Sequence, residues 1–233
     1  MENFEQEISC AEMKLKLIKD ILEGECNDLI NNKKRKSKDF FDQEITRKEK
    51  EDEVNSMSNF ASLVMPSSFF IEQMQPIITA NVLTSECIHI YFIKNTSEIS
   101  LLFRFNIDEQ NDHEDINFRE NEKLWKLSNG KLSEISANDA KSYIENFREL
   151  YNNQGFDTEA TMYTQYITFH YENILGNFLR FESKSQLICA AKSDPFNEGK
   201  YRLNLILQID RANCKNPQTQ EKIAFFNVGN MQP

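Results

Sequence analysis

The chain has 233 residues, of which 39% are hydrophobic and 27% charged, with 18 Phe. That is enough apolar material for one large domain or two small ones. Its formal charge of -10 argues against sequence-independent nucleic-acid binding, where Lys and Arg must neutralise phosphates, and suits an encounter with a basic protein. Five widely spaced cysteines, Cys10, Cys26, Cys87, Cys189 and Cys214, form no C-x-x-C. They make neither a disulfide framework nor a zinc site and read as reduced thiols of a cytoplasmic protein.

The opening "MENFEQEISC" is acidic and has no apolar run, so no signal peptide is expected. No stretch approaches 18 apolar residues, so no membrane span is expected. Six Gly and five Pro leave little room for long linkers. Residues 1–58 read as an N-terminal helical segment. Phe4, Ile8, Ala11, Leu15, Ile18, Leu22 and Leu29 recur at steps of four and three, a heptad-like seam interrupted at Glu25. Two readings stay open: an amphipathic helix on the protein's own core, or a helical hairpin or coiled coil that makes a homodimer. Asn31 and Asn32 break the pattern, and Lys33–Lys36 form the basic run "KKRK". That run resembles a nuclear localisation signal or a polyanion-binding patch, but a solvated helix start or loop is the simpler reading. A second helix is expected from Lys38 to about Met57, charge-dense and exposed or partly disordered.

Residues 59–135 read as a first α+β unit. Pro66 and a Ser67 N-cap predict a short helix from Ser68 to about Thr79, limited by Pro76. "CIHIYFIKNTSEISLLFRFNID" predicts a hairpin: strand Cys87–Lys94, turn 95–97, strand Glu98–Asp108. An acidic loop follows. "KLWKLSNGKLSEI" predicts a second hairpin about Asn129-Gly130, the pair that a type I′ turn favours.

Residues 136–233 read as a second α+β unit. Ser136 and Asp139 cap a helix whose face is Ala140, Tyr143, Ile144, Phe147 and Leu150. A helix near Phe169–Phe181, strands Gln186–Lys192 and Lys200–Asp210, and a last strand Lys222–Val228 follow. The chain ends soon after it, in "FNVGNMQP", and a few further residues beyond Pro233 are expected. The order matches the first unit. Glu72 falls on Glu172 and Leu101 on Leu203, so the offset drifts only from 100 to 102. The expected fold is therefore α+β: two similar helix–strand–strand units in mainly antiparallel sheet, preceded by the N-terminal helices.

Chemistry is sparse. Cys87 and His89 lie two apart on one strand and share a face. A thiolate nucleophile needs such a His, yet the second unit has none, and a buried core pair is the simpler reading. Asp108 and Asp210 end the matching strands, where carboxylates can cooperate across a pseudo-twofold axis or simply begin turns. His113 sits in an acidic loop without EF-hand spacing, and His170 has no metal-binding partner at helical spacing. No G-x-G-x-x-G, P-loop or G-x-S-x-G occurs, so no metal and no cofactor is expected. The sequence points to a non-enzymatic interaction or scaffold protein. It would bind a protein partner, with the seam Phe4, Ile8, Leu15, Ile18, Leu22 and Leu29 as interface, and neither nucleic acid nor membrane. One version is an immunity-type neutraliser of a basic toxin. The rivals are a hydrolase, or a small-molecule sensor, with its site between the two units.

Overall fold

The computed structural model describes residues 43–72, 87–96, 98–106, 118, 122–156, 163–170, 185–194, 199–210, 223–227 and 230–232. The elements are β1 (Gln43–Ile45), α1 (Arg47–Asn55), a 3-10 turn (Ser56–Phe60), β2 (Ser68–Ile71), β3 (Cys87–Lys94), β4 (Ile99–Asn106), β5 (Leu124–Ser128) and β6 (Lys131–Ile135). They continue with α2 (Ala137–Asn153), β7 (Tyr166–His170), β8 (Ser185–Ser193), β9 (Tyr201–Asp210), β10 (Ile223–Asn227) and β11 (Asn230–Gln232).

Among the described residues all strand pairs are antiparallel, in two sheets. The five-stranded sheet runs β1-β10-β9-β8-β2, and the six-stranded sheet runs β11-β7-β3-β4-β5-β6. Their inner faces share one core. Ile88, Ile90 and Phe92 of β3 and Leu101, Phe103 and Phe105 of β4 meet Leu187 and Cys189 of β8 and Leu203, Leu205 and Leu207 of β9. Each such Ile, Leu or Phe side chain, fully buried, contributes about 1.5–3 kcal/mol. Burial also pushes the Cys189 thiol up to about 12, which keeps it protonated and inert. The alternation along each strand sends the other set of residues outward, and a helix covers each outer face. Ala140 and Ile144 of α2 pack on Tyr91, Ile93 and Leu102. Further along α2, Phe147 stacks on Phe92 with centroids 5.5 Å apart, so the helix end closes the inter-sheet core. Val54 of α1 packs on Ile188, Ala190, Ile206 and Phe225.

Both helices follow a strand directly and begin on the same chemistry. The Thr46 hydroxyl accepts from the Glu49 N–H at 3.2 Å, and the Glu49 carboxylate accepts from the Thr46 N–H at 2.7 Å. The Ser136 hydroxyl accepts from the Asp139 N–H at 3.1 Å. These caps satisfy otherwise orphaned donors of the first turn. Asn129 and Gly130 have φ of 49° and 79°, the left-handed pair that the β5–β6 turn requires.

The order of elements is the same along both halves of the chain. Replacing β1, β2, β3, β4 and β5 by β6, β7, β8, β9 and β10, and the reverse, converts one sheet order into the other, apart from β11. The packing is crossed. α1 and β2 precede the β3–β4 hairpin in sequence, yet they lie on the sheet of β8 and β9. α2 and β7 precede β8–β9, yet they lie on the sheet of β3 and β4.

Three expectations need correction. The helix expected over residues 38–57 is, where described, strand β1 and then α1, and both belong to the packed body. Ser68–Ile71 is strand, not the start of a helix, and Phe169–His170 closes β7. In both cases pairing with a distant strand overrides a local helix-start signal. The other residues of those two expected helices lie outside the described residues, as does the seam from Phe4 to Leu29.

Candidate functional site

The Cys87–His89 pair sits on the outer face of the six-stranded sheet and is fully enclosed, at 0% and 1% exposure. His89 Nε2 lies 3.7 Å from Cys87 Sγ, and Nδ1 lies 2.9 Å from Thr168 Oγ1 on β7. Tyr166 meets the imidazole edge-on at 4.7 Å. Beside it, Arg104 donates to Glu122 (3.1 Å from Nη2 to Oε2) and to Tyr91 Oη at 3.4 Å, with Phe118 across the guanidinium face. Burial works against that charge, but the bonds to Glu122 and Tyr91 outweigh it and hold the guanidinium well above its ordinary pKa. This is a buried polar lattice tying β3, β4 and β7 together.

The outer face of the five-stranded sheet holds a second lattice. Asn204 Nδ2 donates to Asn227 Oδ1 at 2.8 Å and to Glu53 Oε2 of α1 at 3.0 Å, and Asn227 Nδ2 donates to Glu53 Oε1. Burial raises the Glu53 pKa, against the pull of Lys192 and of the two amides. Lys50 lies 5.6 Å from the centre of the Phe225 ring. At the β8–β9 hairpin, Arg202 Nε donates to the buried Asp194 at 2.8 Å.

Of the two strand-ending carboxylates, Asp210 closes β9 opposite Ile223. Asp108 and the seam residues Phe4, Ile8, Leu15, Ile18, Leu22 and Leu29 lie outside the described residues. Among the described residues, no group of three His, Cys, Asp or Glu side chains is placed to hold a metal ion, and no helix is long and apolar enough to cross a membrane.

A groove of about 530 Å³ opens where the two sheets meet. One wall is the edge strand β2 with its flanks: Pro66, Ser68, Phe70 and Glu72. The other is made by the start of β4 (Glu98, Ile99, Ser100) and the end of β5 with its turn (Leu127, Asn129, Gly130). The ladder fixes which backbone groups face it. Cys189 N–H donates to Ser67 C=O at 3.0 Å, so residues 67, 69 and 71 turn their backbone groups to β8 and residues 68, 70 and 72 turn theirs away. Glu72 shows the outward direction, its N–H donating to Gly130 C=O at 2.9 Å. Ser68 and Phe70 have no backbone partner there among the described residues. Phe70 is 53% exposed. Among the described residues, the charged side chains that line the groove are Glu72 and Glu98.

None of these residues carried a functional expectation. The visible signal was "SSFFIE", aromatic and β-branched beside Pro66, which suits an edge strand. No protein family, curated protein or solved structure matches the chain.

Proposed function

We propose that the chain is a protein-interaction module made of two interleaved copies of a β-α-β-β-β-β unit, and that it binds its partner in the groove beside β2. The matching strand orders and the two capped helices support the duplication. One observation carries the binding reading: an edge strand that offers outward backbone groups and an exposed Phe70 along a solvent-open groove. Such an edge is a ready template for a partner chain. A basic partner, the toxin-neutralising version included, suits the charge of -10.

A peptide array probed with the full chain tests the site. Phe70→Pro removes an outward N–H from an edge strand, a position where proline is tolerated. Peptides that bind the native chain and not this variant support the reading. An array on which both bind alike removes the groove as a docking site. The seam Phe4, Ile8, Leu15, Ile18, Leu22 and Leu29 is proposed as a self-association surface. Light scattering of the full chain carrying Leu15→Asp and Leu22→Asp should then report half the native mass, and an unchanged mass ends that role.

A further inference from the structure

The two sheets differ by one strand, and the difference falls at the groove. β7 and β2 hold matching places: each is the strand next to the first strand of a hairpin supplied by the other half of the chain. At β7 the outer edge is covered. β11 pairs with it antiparallel, Asn230 opposite Thr168, Met231 opposite Ile167 and Gln232 opposite Tyr166. At β2 no strand pairs with the corresponding edge among the described residues.

The chain itself explains why. After β10 only residues 228 and 229 intervene before β11 takes its place on β7. After β5, the matching strand, the chain reaches Gly130 and makes one bond to the β2 side, Glu72 N–H to Gly130 C=O. The left-handed pair Asn129-Gly130 then turns it back along β5 as β6. The contact with β2 is begun and not continued. What remains is a slot beside Ser68 and Phe70; at the matching edge the place is taken by an antiparallel β-strand.

We propose that this slot takes an extended Lys- or Arg-bearing segment of a partner protein, added antiparallel to β2 as β11 is added to β7. The proposal rests on the interaction reading above and names the ligand class of that site. Backbone bonds to Ser68 and Phe70 supply sequence-independent affinity, and alternate side chains supply the choice of ligand. One set of side chains lies over Phe70. Basic groups pair with Glu72 and Glu98, which flank the slot from β2 and from β4. The overall negative charge speeds the encounter.

The test uses the full chain and three short synthetic peptides in fluorescence anisotropy at low salt. The first alternates valine with lysine, the second alternates valine with glutamate, and the third is the first with every backbone nitrogen methylated, so that neither edge of the strand can donate. The lysine peptide should bind roughly tenfold tighter than the glutamate peptide, the difference expected from exchanging two exposed ion pairs for two like-charge contacts. The methylated peptide should not bind, because it cannot complete the ladder. The double variant Glu72→Lys with Glu98→Lys should invert the charge preference while the unfolding midpoint stays close to native. Equal binding of both charges, retained binding of the methylated peptide, or an uninverted preference overturns the proposal. If the array described above yields groove-dependent peptides that are acidic or helical, the interaction reading stands and this one falls. If no peptide depends on the groove, both fall.

Discussion

The two outer faces solve the same packing problem with different chemistry. Over the six-stranded sheet, the 17-residue α2 buries Ala140, Ile144, Phe147 and Tyr151. The 9-residue α1 over the five-stranded sheet buries no residue fully. It is held by Val54, by Lys50 over Phe225, and by a carboxylate that bridges two buried amides. At the offsets of 101 and 102 read from the sequence, His89 falls on Ala190 and Leu102 on Asn204. The polar groups of each face therefore stand where the other face is apolar. Strand order tolerates this exchange because it is fixed by hairpins and shared inner-face burial, while each outer face needs only a covered, hydrogen-bonded surface.

The largest effect should come from unpairing the buried charge of the α2 face. Arg104→Ala removes the buried guanidinium that bonds Glu122 and Tyr91 and should cost about 3–5 kcal/mol in urea unfolding. A loss below about 1 kcal/mol would mean that solvent reaches Glu122 after all.

Next in size is the clamp of α1. Glu53→Ala strands two buried amide donors and should cost about 1–3 kcal/mol, against near-zero for Glu51→Ala on the exposed side. The clamp also carries a pH sign. The Glu53 pKa is raised on folding, so the folded state binds more protons than the unfolded one. Its contribution is fully favourable below the ordinary value of 4.5 and is lost as pH rises through the raised folded pKa. Glu53→Gln should remove that part of the stability profile. Glu49 has the opposite sign, because its bonds to Thr46 lower its pKa, and its share is lost on acidification. A profile unaltered by Glu53→Gln would place the clamp in water.

The smallest effects separate the helices by their caps. Ser136→Ala and Thr46→Ala should each cost about 1 kcal/mol. The first should lower global stability, because α2 closes the core. The second should appear mainly as faster amide exchange within α1. If both variants act globally and equally, the contrast between the faces is wrong.

What was legible in the sequence was local. The β3–β4 and β5–β6 hairpins could be read from alternation and from Asn129-Gly130, and α2 from Ser136, Asp139 and its apolar stripe, because each signal lies within a few residues. The strands β8, β9 and β10 were legible from their apolar runs. β1, β2 and β7 were not, since each is short and gains its place from a partner far along the chain: Gln43 faces Asn227 and Ser68 faces Ile188. The burial of His89 was legible only in part, as its enclosure depends on Tyr166 and Thr168 of an unforeseen strand. The groove was invisible for a related reason. The groups that mark it are outward backbone atoms of β2 and two carboxylates, Glu72 and Glu98, that lie far apart in the sequence, just outside separate strands.

The crossing of the halves has a consequence for how the chain is made. Neither half contains a complete sheet, so the first half has no finished structure to adopt until β8 to β10 have been synthesised. Pairings this distant in sequence close large loops before they are rewarded, and such topologies fold slowly. The same wiring makes the fold tolerant of a break. A chain cut between β6 and α2 would give two fragments that each hold the missing strands of the other, so the fragments should be inert apart and should reconstitute the native body when mixed.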